Sequence, residues 1–327
     1  MKTSSLIPRI LGIVVFAALA LLMAALAAAI AFGGPAPIAP LASVNDPFAK
    51  ADFSGVPSPR SFTARDGTAL AWLHYPAAGP VQNARRVVLV HGSSARAHSM
   101  HVLARALASA GFEVAALDMR GHGDSGPRGQ AAYVGQLEDD VEDFMRAVPH
   151  AGPSTLVGHS RGGGFVLRFA GSARQSLFDR YVLLSPYLRH DAPTARPNDG
   201  GWATMGLPRL LGLHLINLAG VTTWNHLPVL NFALNDAARP MLTPSYSYNL
   251  ANSFGPHNDY VGDIRAARGA LHIVAGRDDE LFHAERFAEV FSAAGKTVPV
   301  TLVPGVNHMG LTLDSAAFDA VIHACCT

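Results

Sequence analysis

Leu156-Val157-Gly158-His159-Ser160-Arg161-Gly162-Gly163-Gly164 decides the reading of this chain. Ser154 to Gly158 has the composition of a short buried strand and Gly162 to Ala170 that of a helix, so a serine stands on the sharp turn between them. This is the Gly-x-Ser-x-Gly pattern of a nucleophile elbow. A serine hydroxyl is a poor nucleophile at neutral pH; it needs a base, an exposed presentation, and donors for the oxyanion formed on attack. Gly158 and Gly162 leave room for a strained backbone, and the helix starting at Arg161 aims unpaired N–H groups at the developing charge. Ser160 is the candidate nucleophile.

The segments on either side alternate between strand and helix. Ser61 to Leu73 reads as two strands joined at Asp66-Gly67, a favoured hairpin turn. Arg86 to Val90 is a short run rich in β-branched residues, the mark of a central buried strand, and stops at His91-Gly92-Ser93-Ser94. A helix over Ser99 to Ala110, a strand over Glu113 to Asp118 and the polar loop Arg120 to Gly126 follow. Leu137, Val141, Phe144 and Val148 then recur at helical spacing. Beyond the elbow come strands at Tyr181 to Leu184, Ala270 to Ala275 and Val298 to Val303. The alternation predicts an α/β domain with a mostly parallel sheet covered by helices on both faces. Between Pro186 and Asp263 it lapses into a long apolar stretch, predicted to be a mainly helical cap over the carboxyl ends of the strands, the plainer alternative being an insertion that only packs on the core. Trp202, Leu211 and Trp224 are its candidate substrate-binding side chains.

The chain has 327 residues, 49% of them hydrophobic and only 15% charged, which suits a sizeable core and argues against disorder. With 25 basic and 24 acidic residues, nothing points to a nucleic-acid partner. Ile10 to Phe32 holds no charge and follows Lys2 and Arg9. At ~1.5 Å per residue it reaches roughly 34 Å, enough to cross a bilayer. A retained signal anchor over residues 1–32 is the favoured reading; the alternative is a cleaved signal peptide ending at the small-x-small site Ala29-Ile30-Ala31. Either way the remainder is exported, periplasmic or extracellular, with the basic end left in the cytoplasm. Residues 33–59 carry six prolines and read as an extended spacer, with the folded domain over residues 60–327.

An acid and a histidine each follow a late strand: Gly276-Arg277-Asp278-Asp279 after one, Gly305-Val306-Asn307-His308 after the next. The order Ser, Asp, His on one sheet edge suits a general base, His308, oriented by a carboxylate, Asp278 or Asp279. His323, in a final helix, and His272, within a strand, lack that placement. Cys325 and Cys326 are adjacent, so a disulfide between them would be strained; they read as tail residues or an intermolecular link. No cofactor or metal motif is present.

From Arg60 onward the chain resembles the α/β-hydrolase superfamily, and within it the lysophospholipase and monoglyceride-lipase-like serine hydrolases. The matching residues are His91-Gly92, Asp118 to Ser125, Gly158 to Gly162, Gly276 to Asp279 and Gly305 to His308. The resemblance implies the α/β-hydrolase fold with an eight-stranded sheet and a cap at about residues 186–263. It selects Asp279 over Asp278 as the acid and implies backbone oxyanion donors at Ser93 and Arg161. It further implies carboxylic ester hydrolysis through an acyl-enzyme, on lipid-like or medium-chain esters. A thioesterase or amidase with the same residues, and an inactive binding protein on the same fold, are the rivals.

Overall fold

The computed structural model describes residues 6–79 and 85–327, so Lys2 lies outside the described residues. The strands are β1 (Arg60–Thr63), β2 (Ala69–Tyr75), β3 (Arg86–Val90), β4 (Glu113–Leu117), β5 (Ser154–His159), β6 (Arg180–Leu184), β7 (Ala203–Met205), β8 (Pro228–Phe232), β9 (Ser245–Ser247), β10 (Ala270–Gly276) and β11 (Val300–Val303). The helices are α1 (Leu6–Phe32), α2 (Ala42–Lys50), α3 (His101–Ser109), α4 (Gln136–Ala147), α5 (Arg161–Ala170), α6 (Leu207–Leu218), α7 (Tyr248–Ser253), α8 (Tyr260–Ala266), α9 (Phe287–Ala293), α10 (Gly310–Leu313) and α11 (Ser315–Cys326).

An eight-stranded sheet, in the order β1-β2-β4-β3-β5-β6-β10-β11, forms the centre. From β4 onward in that order the strands run parallel, while β1 and β2 form the antiparallel edge predicted from Asp66-Gly67. The run Val87-Val88-Leu89-Val90 in β3 is wholly buried because its alternate side chains serve different cores. Val88 and Val90 join Leu156, Phe165 and Phe169 on one face, while Val87 and Leu89 join Leu103, Leu107 and Val321 on the other. This is the α/β-hydrolase fold, with helices on both faces of the sheet.

Two expectations need correction. The insertion between residues 186 and 263 is not mainly helical: beside α6, α7 and α8 it holds a three-stranded antiparallel sheet, β7-β8-β9. Its short β-branched and aromatic runs are broken by prolines and glycines, which leaves room for only one helix of three turns, α6. The stretch read as a bare spacer also contains a helix, α2, whose Val44 is buried in the main core. Asn45 fastens it, donating to the carbonyls of Leu41 and Ala233 at 2.6 and 2.8 Å. Leu41, Val44 and Phe48 have helical spacing, a signal outweighed by the density of prolines around them.

At the amino terminus α1 presents a 24-residue apolar stretch, Arg9–Phe32, almost wholly uncovered by the rest of the chain. At the other end, the thiol of Cys325 is buried and free, its pKa pushed up to about 12 by burial, and Cys326 is exposed and free.

Candidate active site

The site is built on the turn between β5 and α5. Ser160 has φ 56° and ψ −121°, a conformation side chains rarely adopt. Its N–H donates to the Leu184 carbonyl at 2.8 Å, and its own carbonyl accepts from Tyr187 N–H at 2.9 Å, so both neighbouring segments hold the strained residue. The two flanking glycines are obligatory. A Cβ at Gly158 would lie 2.2 Å from the Gly162 carbonyl oxygen, and one at Gly162 would lie 2.2 Å from that of His91. Arg161 opens α5, so its N–H has no intrahelical partner.

Two loops at the carboxyl edge of the sheet complete the arrangement. His308, just beyond β11, donates through Nδ1–H to Asp279 Oδ2 at 2.9 Å. The other oxygen, Oδ1, accepts from the backbone N–H groups of Leu281 and Phe282, each at 2.9 Å. Burial by itself would raise the Asp279 carboxyl; the neighbouring imidazole and these amides more than offset it and hold the pKa below the ordinary value. Asp278, by contrast, is exposed, which separates the two adjacent acids.

Supporting residues that sequence reasoning missed surround this group. Buried His159 lies against His308 and bonds through Nε2 to its carbonyl oxygen at 3.0 Å, while Glu280 accepts from the His308 N–H. Burial, then the adjacent imidazole, pushes the His159 pKa down to about 3, so the ring is neutral and its Nε2–H donates. A second relay runs from the cap: Ser94 N–H donates to Tyr246 Oη, and that hydroxyl donates to His122 Nε2, both at 2.6 Å. His122 Nδ1–H in turn lies 3.1 Å from the Arg120 carbonyl. The loop Arg120 to Gly126, legible as a motif, thus positions the segment bearing Ser93 and Ser94. No signal in the sequence pairs it with Tyr246.

Ser160, His308 and Ser93 line one cavity of about 580 Å³. Its walls are mainly apolar: Phe48 and Phe53 from the segment before β1, Trp202, Leu234 and Met241 from the insertion, and Met309. Trp202 also donates from Nε1 to Ser93 Oγ at 2.8 Å. Leu211 and Trp224 do not line the cavity; they are 53% and 46% exposed on the outside of the insertion. The face of α6 that packs inward carries Gly212 and Leu213, which turns Leu211 out. Among the described residues, no cluster of His, Cys, Asp and Glu has the form of a metal site.

Residues 82–314 match the family described as serine aminopeptidase, S33. A monoacylglycerol lipase of Mycolicibacterium smegmatis is 38% identical over 112 residues, which cover 32% of this chain and 39% of that protein. A non-heme chloroperoxidase of Kitasatospora aureofaciens is 30% identical over 123 residues, 38% of this chain and 42% of that one. The chain therefore spans about two fifths of the length of these curated relatives. Among solved structures, monoglyceride lipase from Saccharomyces cerevisiae superposes with a TM-score of 0.60 at 20% identity, covering 83% of this chain and 94% of that one. A bacterial membrane phospholipase A superposes with a TM-score of 0.57 at 18% identity and covers 97% of both; such distant likenesses speak to the fold. Family match, sheet topology and elbow agree: the chain belongs to the family described as serine aminopeptidase, S33, on the α/β-hydrolase fold.

Proposed function

We propose that this protein is a carboxylic ester hydrolase that cleaves lipid-like or medium-chain esters, of the monoacylglycerol or lysophospholipid kind, held outside the cytoplasm by α1 as a retained anchor. The observation that carries the reading is a strained serine in an apolar cavity with a histidine whose far nitrogen is held by a buried carboxylate. Ser160 Oγ attacks the ester carbonyl carbon as its proton passes to Nε2 of His308. Asp279 keeps the imidazole in the right tautomer and stabilises the cation. The oxyanion is met by the N–H groups of Ser93 and Arg161; the amide of Ser94 is already engaged by Tyr246. Collapse expels the alcohol with the proton from His308 and leaves acyl-Ser160. Water then repeats the sequence and releases the carboxylic acid.

The lining favours an ester with a neutral apolar acyl chain over a peptide with a free amino terminus. Among the described residues no carboxylate lines the cavity, and the one formally charged side chain there, Arg96, is a cation. An α-ammonium group would find no acidic partner. Each methylene removed from water contributes roughly 0.8 kcal/mol, so kcat/KM is expected to rise several-fold per two carbons from acetyl to roughly octanoyl esters and then level. The test is a chain-length series of chromogenic esters on the purified protein, with fluorophosphonate labelling as control. Labelling lost in Ser160→Ala and a rising profile support the proposal. An unlabelled native protein leaves a binding protein, and a profile highest at acetyl leaves a small-ester hydrolase.

A further inference from the structure

The outward face of α6 belongs to no feature of the proposed chemistry. Leu207, Leu211, Leu215 and Leu218 recur along it at 52%, 53%, 57% and 74% exposure, and Val221 and Trp224 continue the patch at 38% and 46%. Isolated exposed leucines are ordinary, but a contiguous apolar stripe is not. From Gly201 to Asn235 the only Asp, Glu, Lys or Arg is Arg209. That guanidinium is turned back: Nε, Nη2 and Nη1 donate to the carbonyls of Ile30, Ala31 and Pro228 at 2.7, 2.8 and 2.9 Å. It caps the last carbonyls of α1, so the stripe carries no Asp, Glu, Lys or Arg side chain, and exposed His214 is the one titratable group of α6 beside it.

Contacts along the two helices fix their relative direction. Arg209 N–H donates to the Gly33 carbonyl at 3.2 Å. One turn on, the open side of Gly212 faces Ile30 and Leu26. Each turn forward in α6 thus meets an earlier turn of α1, so the helices are antiparallel. From Gly212 to Leu218 the helix advances by up to about 9 Å, carrying its apolar end toward the amino terminus of α1. The span Arg9–Phe32 is 24 residues, about 36 Å, some 6 Å longer than a hydrocarbon core of about 30 Å. Even with all of that excess at its exported end, the level of Leu26 lies inside the hydrocarbon.

From this juxtaposition we infer that the outer face of α6, with Val221 and Trp224, is seated in the exported leaflet of the bilayer, so that the insertion is a lipid-embedded surface beside the anchor. The inference rests on the reading of α1 as a retained anchor. Lipid is favoured over a second copy because the stripe continues the uncovered apolar surface of α1 and lies at its depth.

Trp224 reports on this directly, since Trp72 and Trp202 are buried at 5% and 9% exposure. The full chain is reconstituted in phosphatidylcholine vesicles with lipids brominated at shallow or deep acyl positions, and the emission lost in Trp224→Phe is taken as that of Trp224. A residue set 5–10 Å into the boundary should lose about half of that emission, more to the shallow label than to the deep one. A second variant, Phe16→Trp, places a reporter within α1, and the emission it adds tests the anchor separately. Quenching of that added emission with none at Trp224 leaves the anchor intact and overturns this inference. Quenching of neither overturns the anchor reading and this inference with it. Trp224 shielded from lipid bromine and from aqueous acrylamide, with the shielding lost on dilution of protein in lipid, shows a second copy on the face and likewise overturns it.

Discussion

Asp278 and Asp279 differ by one position and by everything that matters to an imidazole. The first is exposed, whereas the second is buried, accepts two backbone N–H groups and faces His308. Asp279→Asn should lower kcat by about 10³–10⁴ because the wrong tautomer of His308 would be favoured, while Asp278→Asn should change it little. Steady-state kinetics on one ester decides between them, and a crippled Asp278→Asn would reassign the acid. Ser160→Ala combined with His308→Ala should cost hardly more than either alone, since a nucleophile and its base act as a unit. What was legible is their placement, because each position carries a local backbone signal: a glycine-flanked turn for the serine, a loop after a terminal strand for the histidine. His159, Glu280 and Tyr246 were not, because their roles come from contacts across distant segments and their local sequence carries no mark of them.

Among the elements, α2 has the least expected position, a short helix between a membrane-length helix and the sheet that forms one wall of the cavity through Phe48. Phe48→Ala should widen the apolar space and move the preferred acyl length upward by about two carbons, with acetyl ester turnover nearly unchanged. A profile that keeps its maximum would remove α2 from the acyl-binding wall. The strands β3, β5, β6 and β10 were legible within a residue or so because a buried parallel strand must be a short continuous apolar run. The insertion was not: its apolar residues satisfy helix and strand periods about equally over such short stretches, and the choice is made by packing against α1 and the main sheet. Trp224 and Leu211 show the same limit, since hydrophobicity alone does not say whether a side chain faces a cavity or the outside.

At the scale of the molecule, buried histidines make stability depend on pH, His91, His122 and His159 among them. Burial lowers the pKa of His91 to about 4 and of His159 to about 3, and depresses His122 as well. The folded protein keeps these rings neutral while the unfolded chain takes up protons near pH ~6.5. Their contribution is therefore intact above about pH 6.5 and is lost as pH falls toward 4 and 3, by about 1 kcal/mol per pH unit for each ring. Urea midpoints measured between about pH 7 and pH 5 should fall accordingly, and a flat line would mean that these rings are not held neutral. The anchor reading predicts a protein that resists carbonate extraction and retains residues before Phe32 by mass spectrometry; a soluble form starting near Phe32 would replace it with a cleaved signal peptide. The hydrogen bond from Arg209 to the Gly33 carbonyl then has a kinetic consequence. A catalytic body joined so closely to its anchor has no leash on which to swing, and it meets substrate by lateral diffusion in the plane of the lipid. Turnover would follow the mole fraction of ester among the surrounding lipids: adding inert phospholipid would slow the enzyme, while adding buffer to the same vesicles would leave its rate untouched.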